Sequence, residues 1–272
     1  KISQNLSVPY RIPMLMVAFI CLAFGIGSGL FRLGWHFPLP SANLVAFHGP
    51  LMVCGFLGTV ISLERAVAIG QRWAYLGPLF AAFGGLAFIV DLNWLIGASL
   101  LAIASGILSI ATVYIFIRQH ALFTMILLLA CLSWLLGNFL WLCGLDIAHV
   151  VPWWLSFLVL TIAGERLELS RFLPTSLSSK LVFMLIVTLF LIGAVVATLS
   201  KDLNMRILSV ALLALSLWLL RQDVARHTIK QKGLTRFVAI CLMSGYIWLM
   251  VGGIVGLISQ PLIPSSSYDA FL

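Results

Sequence analysis

Charge is what this chain has least of. Asp, Glu, Lys and Arg make up 9% of its 272 residues, against about 25% in a soluble globular domain. So little charge excludes a soluble enzyme and a disordered tail, which needs a polar, highly charged composition. It also excludes a nucleic-acid binder, whose basic face needs many more cations. There is no CxxC pair or zinc-ligand spacing, and no phosphate-binding glycine loop, zincin helix or serine triad. All five cysteines (Cys21, Cys54, Cys131, Cys143 and Cys241) fall inside apolar runs, where a thiol reads as a small buried hydrophobe.

What is abundant is apolar sequence, at 62% of residues. A helix needs about 20 mostly apolar residues to cross a bilayer. Nine runs qualify: 11–31, 44–63, 76–94, 96–117, 121–144, 151–168, 181–200, 204–220 and 235–258. They predict an all-α polytopic transmembrane bundle forming one transmembrane domain over 1–272. The linkers are too short for a soluble domain, and the first run is too long for a signal-peptide core. Gly25, Gly27 and Gly29, Gly55 and Gly58, and Gly252, Gly253 and Gly256 give several runs a small-residue face, which lets helices pack closely in lipid.

If nine spans alternate, thirteen of the sixteen basic residues lie on one side, from Lys1 and Arg11 to the cluster Arg221, Arg226, Lys230, Lys232 and Arg236. By the positive-inside rule that side is cytoplasmic. This predicts a multi-pass protein of the cell's inner (plasma) membrane with its N-terminus in the cytoplasm. The lipid bilayer is its first partner.

Two runs carry the same marks. His48 opens the second, which closes on Glu64-Arg65, and His149 opens the sixth, which closes on Glu165-Arg166; the spacing from His to Glu is the same in both. Four runs separate the two marks, so the repeat unit is four helices and preserves orientation. Asp146 precedes His149 by three residues, and Asp269 stands three before the end. A third copy is therefore expected to begin beyond Leu272 with a histidine in roughly the first three residues, making about twelve spans in three four-helix quasi-repeats.

His48 and His149 are the candidate cofactor and metal ligands, since neutral imidazole is a common axial ligand of heme iron. The bland alternative is an interhelical hydrogen bond for His48 and a surface position above Trp153 and Trp154 for His149. His36 reads as structural or solvated, and His120 and His227, beside basic loops on the inner side, are assigned no function. Glu64, Arg65, Glu165, Arg166, Glu168 and Arg171 sit at helix ends, where charges snorkel to water. They read as ion pairs that fix helix ends or, in a functional reading, as a proton entry point. Glu165, Glu168 and Arg171 follow at three-residue spacing and share a helix face. Glu64 lies about 24 Å from His48 along the axis and on nearly the opposite face, so the two do not share a site.

Three four-helix arcs are similar to the plan of the heme-copper oxidase catalytic subunit. His48-Gly49-Pro50-Leu51-Met52-Val53 resembles that subunit's second helix, where the histidine ligates the low-spin heme. With Trp134-Leu135-Leu136-Gly137-Asn138-Phe139-Leu140-Trp141, the chain more closely resembles the NnrS family of bacterial membrane proteins. The resemblance implies heme as cofactor, His48 as axial ligand, and nitric oxide as a small gaseous ligand in stress or respiration. Oxidase copper ligands stand on the sixth and seventh helices, whereas the sixth run here has only His149 and the seventh no histidine. An oxidase-type copper centre is therefore not expected, and the second heme ligand would stand on a tenth helix. The alternatives are a secondary transporter, against which stands the absence of a charge near mid-span, and a non-catalytic membrane scaffold.

Overall fold

The computed structural model describes residues 5–35, 38, 40–170, 176–200 and 205–259. Among these the chain is helical with connecting turns and no strand, and its contacts gather into two compact units, Lys1–Leu145 and Asp146–Leu272. His36, Arg171, Asp269 and the expected third copy lie outside the described residues.

The first unit opens with α1 (Val8–Arg32), which has proline near its first helical position, where a missing N–H costs nothing. The second expected span is not one α-helix. It runs from a 3-10 turn, Ala42–Phe47, through α2 (His48–Pro50) and an eight-residue π-helical stretch, Leu51–Gly58, into α3 (Thr59–Ile69). Gly70 closes α3 in the left-handed region at φ 68°, a conformation that glycine adopts without steric cost. Next come α4 (Leu76–Ile89), α5 (Trp94–Arg118) and α6 (Leu122–Leu142). The run expected at 76–94 stops at Ile89, because Asp91 turns the chain and the Asn93 side chain caps α5 by accepting from the Leu95 N–H at 3.0 Å.

Small residues hold this unit together. A Cβ on Gly85 would stand 2.5 Å from Cys21 Sγ and 3.1 Å from the Gly55 Cα, so α1, the π stretch and α4 meet at backbone distance. Gly58 lies on the Trp134 indole, 2.6 Å from ring to imagined Cβ. π turns are uncommon and cluster at functional positions; here the stretch lays two glycines against three neighbouring helices.

The second unit consists of α7 (Ile147–Leu169), α8 (Leu177–Leu199), α9 (Arg206–Gln222), the single turn α10 (Ala225–Thr228) and α11 (Leu234–Ile258). Ser176 caps α8 by accepting from the Ser179 N–H at 3.2 Å. α8 and α9 cross at Gly193, where an added Cβ would stand 2.6 Å from the Leu208 nitrogen and 2.7 Å from its Cα. α11 lays one stripe, Ala239, Tyr246, Gly253 and Gly256, into the unit and leaves most of its other large side chains exposed.

Eight helices among the described residues are long and apolar enough to cross a membrane, which makes this a multi-pass membrane protein. Eight of the nine expected runs correspond to them. The ninth, at 204–220, is α9, whose 17 residues reach about 26 Å at 1.5 Å each, short of a hydrocarbon core of about 30 Å.

Gly193→Ala pushes α8 from α9 and should destabilise by about 1–3 kcal/mol, read as a lowered thermal unfolding midpoint in detergent. Gly106→Ala meets only Leu135, at 3.9 Å, and should stay within about 0.5 kcal/mol of the parent. Equal losses would contradict the close crossing.

Candidate functional site

Among the described residues, each unit buries a polar cluster between apolar helices. In the first, the Trp134 indole N–H donates to Cys54 Sγ at 3.2 Å, the Cys54 thiol donates to Asn138 Oδ1 at 3.7 Å, and Asn138 Nδ2 donates to the Leu101 carbonyl at 3.1 Å. All three side chains are buried. Each donor finds an acceptor, as a buried polar group must. The chain of bonds ties the π stretch to α5 and α6. Its chemistry is that of a structural tie.

The second unit holds a charged cluster. Asp223 ends α9 with 1% of its side chain exposed, and Arg166 Nε on α7 stands 3.1 Å from its Oδ2. The approach is off the line of a hydrogen bond, so the attraction is chiefly electrostatic. The Tyr246 hydroxyl on α11 donates to Asp223 Oδ2, and the Ser170 hydroxyl reaches Oδ1 at 3.5 Å. One carboxylate thus gathers partners from α7 and α11 onto the end of α9. A buried carboxylate is costly to leave alone, and here a cation and two hydroxyls surround it.

Reading the sequence located Arg166 correctly at a helix end but assigned it no such partner. Glu165 and Glu168 are half-buried on the same helix, yet the guanidinium goes to Asp223, which was hidden among the basic residues from Arg221 to Arg236. The available signal was a lone acid closing an apolar run, with Tyr246 as a polar residue in the middle of the next one. Tyr246 lies twelve residues into α11, about 18 Å from its start, whereas Asp223 closes α9 and Arg166 stands in the last turn of α7.

The other candidates stay apart from this cluster. Glu64 is exposed and Arg65 half-buried at the end of the second span. His149 is half-buried; its backbone N–H donates to the Asp146 carbonyl at 3.0 Å and its carbonyl accepts from the Thr198 hydroxyl at 3.1 Å. His48 is half-buried, with its Nδ1 at 3.3 Å from Arg32 Nη1. Arginine can only donate, so Nδ1 accepts, and a neutral ring then carries its proton on Nε2. Among the described residues no three of His, Cys, Asp and Glu group closely enough to hold a metal ion.

A family described as a domain of unknown function, DUF8744, matches residues 11–272. The chain belongs to the DUF8744 family. The match takes in both units and both buried clusters of this DUF8744 chain. Comparison with curated proteins finds no match, and neither does comparison with solved structures.

Proposed function

We propose that this DUF8744 protein is a secondary transporter of the bacterial inner membrane, with its N-terminus in the cytoplasm and Asp223 as its proton-binding group. The observation that carries the reading is the carboxylate held by Arg166 and Tyr246. An ionisable side chain inside a membrane bundle marks a functional site by default. Protonating Asp223 would cancel its attraction for Arg166 and weaken its hold on the Tyr246 hydroxyl. A proton would thereby loosen α7 and α11 from the end of α9, which is the coupling such a transporter needs. The orientation counts α9 as a crossing helix, because only then do thirteen of the sixteen basic residues share the N-terminal side. A parallel four-helix repeat is supported by the division of the chain at Leu145, just before His149 reopens the pattern.

The resemblance to NnrS proteins implies heme on His48. Its Nδ1 stands 3.3 Å from Arg32 Nη1, so ligation through Nε2 would require the exposed guanidinium to move aside and the ring proton to pass to Nδ1. The cleft beside Arg32 is not lined by His48. No step is therefore assigned to heme, copper or nitric oxide.

Full-length protein in liposomes on a solid support should give a transient current on an acid step, and Asp223→Asn should abolish it; equal currents would reject the proton-binding role. A reduced-minus-oxidised visible spectrum of protein from heme-replete membranes should show no heme band. A b-type band lost in His48→Ala would restore the heme reading. For the orientation, a membrane-impermeant maleimide should label Cys143, exposed at the end of α6, in intact spheroplasts. Labelling only after lysis would reverse it.

A further inference from the structure

We infer that the first unit carries a binding cleft for a small zwitterion, a ligand with an ammonium group close to a carboxylate or phosphate. The cleft, of about 880 Å³, opens where α1 ends and where α4 turns into α5, and Arg32, Asn43, Phe47, Asp91 and Trp94 are among its lining residues. That is within the range of about 300–1,000 Å³ typical of small-molecule sites. It lies in the other unit from Asp223, and the inference does not rest on the transporter reading.

Three features select the ligand. First, the cleft has one charge of each sign. Arg32 is the last residue of α1 and Asp91 forms the turn after α4. A purely cationic or purely anionic molecule meets one attractive and one repulsive group, whereas a zwitterion satisfies both. Second, the wall is aromatic. Phe47 stacks on Phe88 with ring centroids 4.6 Å apart, Phe88 on Trp141 at 5.6 Å, and Trp141 lies 5.9 Å from Trp94. Phe47 and Trp94 bring this contiguous surface to the cleft that Asp91 also lines, and aromatic faces are the usual receptor for an alkylated ammonium.

Third, the carboxylate is under-used. Asp91 is the one non-glycine residue among those described with positive φ, at 56°, in the left-handed region that aspartate enters more readily than most residues. Its recorded partner is Asn43 Nδ2, at a long 3.4 Å from Oδ1, and no Lys or Arg pairs with it among the described residues. Arg32 is exposed and, beside its contact with His48 Nδ1 at 3.3 Å, carries guanidinium N–H donors in a fork that suits carboxylate or phosphate oxygens.

The same chemistry exists in a dissolved solute, such as glycine betaine, and in the head group of phosphatidylethanolamine. Calorimetric titration of the full-length protein in detergent with glycine betaine tests the first source. Native mass spectrometry after exposure to phosphatidylethanolamine or phosphatidylglycerol tests the second. The expected result is saturable binding of glycine betaine, or retention of phosphatidylethanolamine over phosphatidylglycerol, weakened by about tenfold or more in Asp91→Asn through loss of a charged contact. Asparagine tolerates the left-handed backbone as aspartate does, so this variant removes the charge and keeps the turn. Three results would overturn the inference: neither zwitterion bound, Asp91→Asn binding as well as the parent, or choline or phosphatidylglycerol binding as well as its zwitterionic counterpart.

Discussion

In a hydrocarbon layer a polar group has no water to fall back on, so each must find its partner within the protein. That requirement orders most of what this chain does. Buried hydroxyls turn back onto their own helix: Ser109 donates to the Ser105 carbonyl, Thr112 to Leu108, Ser156 to Pro152, Thr161 to Phe157 and Ser209 to Met205, all at 2.7–2.9 Å. Others are bonded across helices, as with Trp134, Cys54 and Asn138. The charged case is the most demanding. Asp223 resides at the end of α9 only because Arg166, Tyr246 and Ser170 converge on it.

Apolar attraction cannot assemble such a molecule, because lipid is as apolar as the helix faces. Close packing takes its place. The glycines at 55, 85 and 193 bring backbones together, and the π-helical stretch sets Gly55 and Gly58 against different neighbours. The buried polar ties then fix which helices meet: in the first unit the tie joins the π stretch to α5 and α6, and in the second it joins α7 and α11 to α9.

Much of this was legible in the sequence. Long apolar runs give helices whose ends agree with expectation to within a few residues, because hydropathy and length dominate the signal in a membrane. The exceptions have physical causes. A π turn leaves no hydropathy signature, so the second span reads as an ordinary helix. The turn at Asp91 depends on an acid accepting a left-handed backbone, and apolar counting carries α4 past it. Asp223 was obscured because its neighbours in sequence are basic, whereas its partners in space come from helices whose residues lie 53 and 23 positions away. The histidine–glutamate spacing was plain in the sequence, yet neither histidine belongs to a buried polar cluster of the described structure.

Two places remain where charge is used for more than packing, the Asp223 cluster of the second unit and the cleft at the end of α1. The first supports the account of function and can be tested without knowing a substrate. The most direct measurement is a double-mutant cycle of unfolding free energies for Arg166→Met and Asp223→Leu in the full-length protein. Each single change should cost about 3–5 kcal/mol by stranding a buried charge, and the double variant should lose far less than their sum. Additive losses would mean that the two side chains do not form the pair on which the second unit depends.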